Sequence, residues 1–532
     1  MSGPLAPRRI GVSRGFRLAW TALLLIATTA PYVVAWLRTP PGAVFTWILP
    51  PYPEDSLAYQ AWVRQAMDGQ LLFSLKYTAQ PHTGFLFQPF FLLAGWLARG
   101  TGWSPGLTLL VLKTVGVALF LHVFFAFLAF LRMPRARAHL ASVLLGTSSG
   151  LGGLCAWTLG SDHLARALGT QPPADLWLVD LTTWWALEWN PLFPYSLSLI
   201  VGSVHALWAA FRRPGLVAGL RAGALVAVLA LVHPYQVPLL YALGLLLAVL
   251  WRTRARLVVL AAFFGVSGPV VAFSALQSAR HPLLAQHALA GRMESPGLFP
   301  LLLGLGLPLA LAIAGLRRDV RRIRVYAPLV LWIGLALGLA YAPWWFQRKL
   351  LFGLSVPLCI WAAWAWDRLR LGGARTAAIL ALAATTPIHL LQVQFRDLAS
   401  ARGPASPYAV SPDLAAALTF LRVQVPHDEV VLATFETSRL IPAWAGQPVI
   451  WGHWAQSVDL ATRREEMRRA LHPGGRVAPA LRAEAFWSSG ARWVVVDTLL
   501  RDAFSGAEPP WFTATTRVVF EQGDVQVRQR SP

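Results

Sequence analysis

The sequence predicts a mainly α protein: a polytopic membrane helix bundle of about eleven spans, followed by a C-terminal soluble α/β domain. Three observations predict it. Hydrophobic residues make up 56% of the 532 residues and charged ones only 13%, a balance that many long apolar runs make incompatible with a water-soluble chain. Short arginine clusters punctuate those runs. Both features stop near residue 391, which divides the chain into a transmembrane region, 1–391, and a tail, 392–532. The net charge of +22 would suit a nucleic-acid binder only if it were spread along the chain. Of the 46 basic and 24 acidic residues, 15 and 14 lie from 392 onward, which leaves 31 against 10 in the apolar region. Charge placed that way reports topology, and no nucleic-acid partner is expected.

Taken in order, the spans are expected at 16–37, 107–131, 139–158, 191–211, 217–232, 237–251, 257–275, 298–316, 325–342, 350–366 and 375–391. The first run has the length of a full span and no clear small-residue cleavage site, which argues against a removable signal peptide. A further run at 84–98 is short for a span. If it does not cross, 21 basic residues fall on one side with only Asp319 and Asp367, and the positive-inside bias makes that side cytoplasmic. The run is therefore expected to lie in the opposite interface, with the N-terminus cytoplasmic and the tail periplasmic or extracytoplasmic. Eight of the ten acidic residues of the membrane region then face outward. Cys155 and Cys359 both lie in apolar segments and are not expected to form a disulfide.

The long first outer loop, 38–106, opens with LPPYPEDSLAYQAWVRQAMDG. After Pro53 the spacing predicts an interfacial helix with Asp55 at or near its N-cap, Leu57, Ala61 and Trp62 toward the membrane, and Gln60, Arg64 and Asp68 toward water. A carboxylate there caps the helix; held at a membrane surface, it also has the chemistry of a general base. In the tail, VVLA at 430–433 and RWVVVD at 492–497 read as strands, and RVVFEQGDVQVRQ reads as a hairpin around Gln522-Gly523. ASARGPASPYAVSP has the composition of a linker.

A span, an outer loop opening with an acidic pair before an interfacial helix, a second amphipathic stretch, and a span returning to the basic turn FLRMPRAR resemble the GT-C superfamily of integral-membrane glycosyltransferases. The stretch from DGQLLFSLKYTAQPHTGF to GTGWSP, which contains His82, continues the resemblance. It implies a polyprenyl-phosphate-linked sugar donor, a lipid, glycan or protein acceptor, a first-loop Asp or Glu as base, and work at the outer face of a bacterial inner membrane. Asp55 and Glu54 are then the candidate bases, and the sequence does not separate them. In YAPWWFQRKLLFGLSVP, Arg348 and Lys349 resemble the basic motif near the lipid phosphate; beside Trp344 and Trp345 they equally suit a helix end anchored at the headgroups.

Further candidates for substrate binding are His82, Asp162, His163, Asp180, Glu188, His233 and His453. The second outer loop sets Asp162, His163, Asp180 and Glu188 among Trp177, Trp184, Trp185 and Trp189, which suits a sugar but also suits interfacial anchoring, the reading favoured for most of the tryptophans. His233, in LVHPYQVP, marks the turn between the fifth and sixth spans. His453, in GHWA, suits either an acceptor site or a turn beside a buried tryptophan. No cofactor motif is present. A divalent cation fits the donor chemistry of Asp55, Asp162 or His163, but their spacing matches no recognised metal motif. Two other functional classes remain: a transporter or flippase for a lipid-linked saccharide, which would more often place ionisable groups near the midplane, and a non-catalytic membrane scaffold.

Overall fold

The computed structural model describes residues 10–147, 149–160, 163, 166, 171–284, 286, 292–317, 325–366, 373–400, 403, 406–471, 478–488 and 490–531. Seven helices among them are long and apolar enough to cross a membrane: Arg14–Leu37, Pro105–Phe130, Phe193–Arg212, Arg254–Gln277, Leu298–Gly315, Gln347–Trp366 and Gly373–Ala399. Arg135–Thr147 and Gly152–Leu159 form a pair bent by 49°, and Leu216–Val232, Pro234–Leu250 and Ala327–Leu339 are shorter apolar helices. These coincide with the eleven apolar runs of the sequence. The chain is a multi-pass membrane protein. Helices satisfy every interior backbone group internally, which is why apolar runs of this length fold as helices and not as strands.

The chain divides into two compact units. The first comprises Met1–Ala30, Leu112–Leu276 and Arg292–Val393. Its core is aromatic and aliphatic, with Trp208, Trp332, Trp361, Phe120, Phe124 and Phe127 among its largest buried side chains. The Ser355–Trp366 helix is buried on every face, in keeping with its uniformly apolar sequence. The bend between Arg135–Thr147 and Gly152–Leu159 has a local cause. A Cβ on Gly150 would sit 2.1 Å from the Leu303 carbonyl oxygen, so glycine lets the two backbones touch, and the Leu151 N–H donates to that oxygen at 2.9 Å. Gly306, on the facing helix, takes a left-handed φ of 37°, and the helix kinks there.

The Asp175 carboxylate pins the same bend. Its Oδ2 accepts from the Thr386 hydroxyl at 2.7 Å and from the Gly152 N–H at 3.2 Å, at the start of the Gly152–Leu159 helix.

The second unit comprises Pro31–Val111, Gln277–Gly291 and Gln394–Pro532, so it contains the first-loop segment as well as the tail. Strand β1 (Val44–Phe45) pairs antiparallel with β2 (Ala409–Val410), the latter inside the stretch expected to be a linker. A four-stranded sheet uses the two expected strands and the expected hairpin: β3 (Val431–Leu432), β4 (Trp493–Val496), β5 (Thr516–Gln522) and β6 (Val525–Arg530). Their order is β3-β4-β6-β5, with β3 parallel to β4 and the other pairs antiparallel. Gly523, at φ 51°, supplies the turn between β5 and β6.

Two expectations for the first loop need correction. The Pro53–Met67 helix does not divide into a membrane face and a water face. Leu57 and Ala61 lie in one core cluster with Leu418, Ile441 and Val527 of the tail, and Gln60 is also buried, its amide donating to the Thr46 carbonyl at 2.8 Å. The helix is packed from several sides, by Pro89–Thr101 and by Ile441–Trp444 among others. The amphipathic stretch at 84–98 becomes helical only at Pro89, because Phe73 and Leu86 first form a β-bridge and the Gln88 side chain caps the Phe90 N–H. At 13 residues the Pro89–Thr101 helix is about 20 Å long, short of a bilayer core.

Burial raises the Asp175 carboxyl from its ordinary 3.8 to about 7, against the opposing pull of its hydrogen bonds. The fold therefore prefers the neutral form. That contribution to stability is complete below the unfolded value and is lost as pH rises through about 7. Thermal unfolding of the detergent-solubilised protein should lose stability between pH 5 and 8 more steeply in wild type than in Asp175→Asn; parallel curves would contradict the assignment.

Candidate active site

The acidic pair sits in the first turn of the Pro53–Met67 helix, after Tyr52 in a left-handed conformation, and no side chain caps that helix. Asp55 thus lies near the N-cap, as expected from the sequence, but does not cap the helix: Pro53 takes the first helical position and the Asp55 carboxylate turns elsewhere. The Asp55 Oδ1 accepts from the Trp454 indole N–H at 2.9 Å and lies 3.2 Å from His453 Nε2. Glu54 is held differently. Its Oε1 lies 3.0 Å from Arg439 Nη1, in a pair whose side chains are 19% and 11% exposed. Tyr77, fully buried, donates its hydroxyl to the Arg439 carbonyl at 3.0 Å and brings its ring within 5.6 Å of the His453 ring. Burial first, and the Glu54 charge second, push the Tyr77 phenol well above its ordinary range, so it stays protonated. The two adjacent carboxylates therefore have different neighbours: a guanidinium at Glu54, an indole N–H and an imidazole nitrogen at Asp55.

His82, in the same unit, is spent on the backbone. Its Nε2 accepts the Leu75 N–H at 2.9 Å and its Nδ1 donates to the Gln80 carbonyl at 2.7 Å. Burial lowers its pKa, consistent with a neutral ring clipping the loop.

In the first unit, Asp180 is the hub. Its Oδ1 lies 3.0 Å from Lys349 Nζ and its Oδ2 3.8 Å from Arg348 Nε, with the carboxylate fully buried and the cations 12% and 25% exposed. Aromatic faces line the cations: Lys349 over Phe193 and Tyr235, Arg348 over Trp177. The Gln236 amide donates to the Lys349 carbonyl, and the His233 ring stands 5.1 Å from Tyr235 and 5.4 Å from Phe193. Asp180 Oδ2, His233 Nδ1 and Gln236 Oε1 are buried without a hydrogen-bond partner among the described residues. Two cations face one carboxylate, so the cluster retains excess positive charge beside unspent polar atoms. An anion flanked by hydroxyl groups is the ligand chemistry that such an arrangement suits.

The other expected residues divide. Glu188 is buried, and its backbone carbonyl takes a hydrogen bond from Lys113 at 2.9 Å. His163 is exposed, and Asp162 lies outside the described residues. Trp184, Trp185 and Trp189 are core residues, not interfacial anchors, because the Thr183–Glu188 helix folds their loop into the interior; the Trp185 indole donates to the Asp175 carbonyl at 2.9 Å. Trp177 alone of the four is only partly buried.

No protein-family model matches the chain, and no curated protein sequence matches it. Solved structures do. The chain is similar to the mycobacterial arabinofuranosyltransferase AftD at 14% identity, with a TM-score of 0.56 over 99% of this chain. It spans 41% of the length of that protein. It is similar to ArnT from Cupriavidus metallidurans, bound there to undecaprenyl phosphate, at 13% identity and a TM-score of 0.52, covering 96% of this chain and 98% of ArnT. The oligosaccharyltransferase of Archaeoglobus fulgidus, in complex with zinc and sulfate, aligns at 14% identity and a TM-score of 0.51, over 90% of this chain and 68% of that one.

This chain has the GT-C fold.

Within this GT-C fold, three residues of the acidic-pair site escaped the sequence reading: Arg439, Trp454 and Tyr77. Each lies far in sequence from one partner, and the stretch FETSRLIPAWAGQPVIWGHWA, unusual for its tail, was the available signal. Lys113 was also missed. It is a fully buried lysine in the Pro105–Phe130 helix whose ammonium donates to the carbonyls of Thr28 and Glu188. The described residues do not assemble a metal site: no group of three or more His, Cys, Asp or Glu is placed to hold an ion, and Asp55 Oδ1 already faces two nitrogens.

Removing the buried Asp180 leaves two cations facing each other, a change that typically costs about 3–5 kcal/mol. Asp180→Ala should therefore lower the unfolding temperature sharply, and adding Lys349→Met should restore part of it. Strictly additive losses in this double-mutant cycle would show that the groups are not coupled.

Proposed function

We propose that this protein is a GT-C glycosyltransferase that moves a sugar from a polyprenyl-phosphate-linked donor to an acceptor hydroxyl, with Asp55 as general base. The observation that carries the assignment is the unequal treatment of the acidic pair. Glu54 is committed to Arg439, whereas Asp55 meets the indole of Trp454 and the imidazole of His453. A carboxylate in a guanidinium pair is a weaker base than one held by uncharged donors.

The chemistry is a single displacement. The acceptor oxygen attacks the anomeric carbon while the bond from that carbon to the phosphate oxygen breaks, and the phosphate leaves with the bonding electrons. Asp55 takes the acceptor proton as its oxygen becomes nucleophilic. Negative charge grows on the departing phosphate, and Arg348 and Lys349 are the groups proposed to meet it. Asp180, His233 and Gln236 are proposed to serve the donor beside them, their buried polar atoms suiting hydroxyl groups. One similar fold supports a lipid-phosphate donor class: ArnT was captured with undecaprenyl phosphate. The arginine distribution supports placing the reaction on the side opposite the cytoplasm; the resemblance to GT-C enzymes suggests a bacterial inner membrane and a lipid, glycan or protein acceptor.

The test uses purified protein and a panel of polyprenyl-phosphate pentoses, hexoses and amino sugars, with release of polyprenyl phosphate as the readout. Asp55→Asn should lower turnover on the accepted donor by roughly 10²–10⁴-fold, the range of general-base catalysis, while Glu54→Gln keeps most of it. Wild-type turnover in Asp55→Asn would overturn the assignment.

A further inference from the structure

We propose that His453 and Trp454 are positioning residues for Asp55: the tail segment orients the base from the side and keeps its carboxylate ionised with uncharged donors. This rests on the assignment of Asp55 as the base.

The local geometry fixes both the direction and the proton of the imidazole. Gly452 adopts φ 133°, and a Cβ there would come within 3.0 Å of the Ser438 carbonyl carbon, so only glycine lets the chain turn at this point. His453 follows, with its side chain 4% exposed. Its Nδ1 accepts two backbone N–H groups, from Ala455 and Gln456, each at 3.0 Å. Its own N–H donates to the Ser457 hydroxyl at 3.0 Å, and its carbonyl accepts the Ser457 N–H at 3.2 Å. The lone pair of Nδ1 is thereby occupied, and the ring proton resides on Nε2. His453 Nε2 lies 3.2 Å from Asp55 Oδ1. The indole of Trp454, which can only donate, reaches the same oxygen at 2.9 Å. Consecutive residues of one rigid turn therefore converge on a single carboxylate oxygen.

The consequence is chemical as well as geometric. Hydrogen bonds to a carboxylate stabilise its charged form, and donors without formal charge do so while leaving the carboxylate net negative, available to take a proton. Titratable groups around the pair include Glu54, its partner Arg439, Tyr77, whose ring packs against His453, and Tyr408, which feels the charges of Asp397, Arg439 and Glu54. Glu54 and Arg439 balance one another, and Tyr77 is protonated. Trp454 and His453 both stand at Asp55 Oδ1, so their removal acts on that oxygen directly.

Protonation of Asp55 can be read without knowing the substrate. Full-length protein in detergent is treated with a water-soluble carbodiimide and glycine ethyl ester across a pH series, and modification at Asp55 is quantified by peptide mass spectrometry, because the carbodiimide couples the protonated carboxyl. His453→Ala and Trp454→Phe should each raise the labelling midpoint, by about one pH unit for a charge-assisted hydrogen bond. His453→Gln, which keeps a side-chain N–H, should recover most of the shift. On an accepted donor, kcat should fall at least tenfold in His453→Ala with little change in KM, and the acid limb of the pH profile should move with the labelling midpoint. If His453→Ala fails to fold, Trp454→Phe carries the test, since that indole is 39% exposed and its ring is retained. An unmoved midpoint with unchanged kcat in the folded variants overturns the proposal. If Asp55→Asn keeps wild-type turnover, the base assignment fails first; if Asp55→Asn is inactive while the His453 and Trp454 variants behave as wild type, only the positioning role fails.

Discussion

A carboxylate drawn out of water costs several kcal/mol unless donors meet it, and the first loop carries two of them side by side. The protein meets this constraint within the unit that holds the loop. The tail supplies Arg439 to Glu54, and His453 with Trp454 to Asp55. Those partners require the tail to be where it is, and the rest of the unit is built to hold it there. Strand β1 pairs with β2, Tyr77 reaches the Arg439 carbonyl, and Leu57 and Ala61 share a core cluster with Leu418, Ile441 and Val527. The tail is therefore part of the structure that presents the acidic pair.

The same constraint organises the other unit. Asp180 is fully buried because Lys349 and Arg348 lie against it, and they in turn are partly buried because Asp180 is there. Lys113, in the core of the unit, donates its ammonium to the carbonyls of Thr28 and Glu188. Asp175 shows the alternative: it meets hydroxyl and amide donors without a counter-charge, and its carboxyl is pushed toward the neutral form. A cation such as Lys349, held by a buried carboxylate and flanked by the rings of Phe193 and Tyr235, is positioned in advance of any ligand. Preorganised charge of that kind is what stabilises a developing anion without reorganisation.

How much of this was legible depends on the range of the signal. The helices were legible because a bilayer demands continuous apolar runs, and the hairpin because Gly523 stands between two alternating stretches. The existence of an acidic pair opening a helix was legible too. Its partners were not. Asp55 and Trp454 are 399 positions apart, and no local pattern links them. Capping preference pointed to the wrong role for Asp55 because a local propensity was allowed to stand for a tertiary contact: Pro53 starts the helix, and the carboxylate two positions on is drawn to the GHW turn. Aromatic residues misled for the same reason. Trp184, Trp185 and Trp189 carry interfacial composition, yet a short helix folds them into the core.

The tail builds the first-loop site, and the β1–β2 pair allows a direct measurement of it. Val44 faces Val410 across that antiparallel pair, where Cα atoms stand about 4.5–5.5 Å apart, within the reach of a disulfide. With Cys155 and Cys359 replaced by serine, Val44→Cys with Val410→Cys should cross-link in intact membranes under mild oxidation, and the cross-linked protein should keep its turnover on an accepted donor. Absence of the cross-link, or its formation only with loss of activity, would contradict the account.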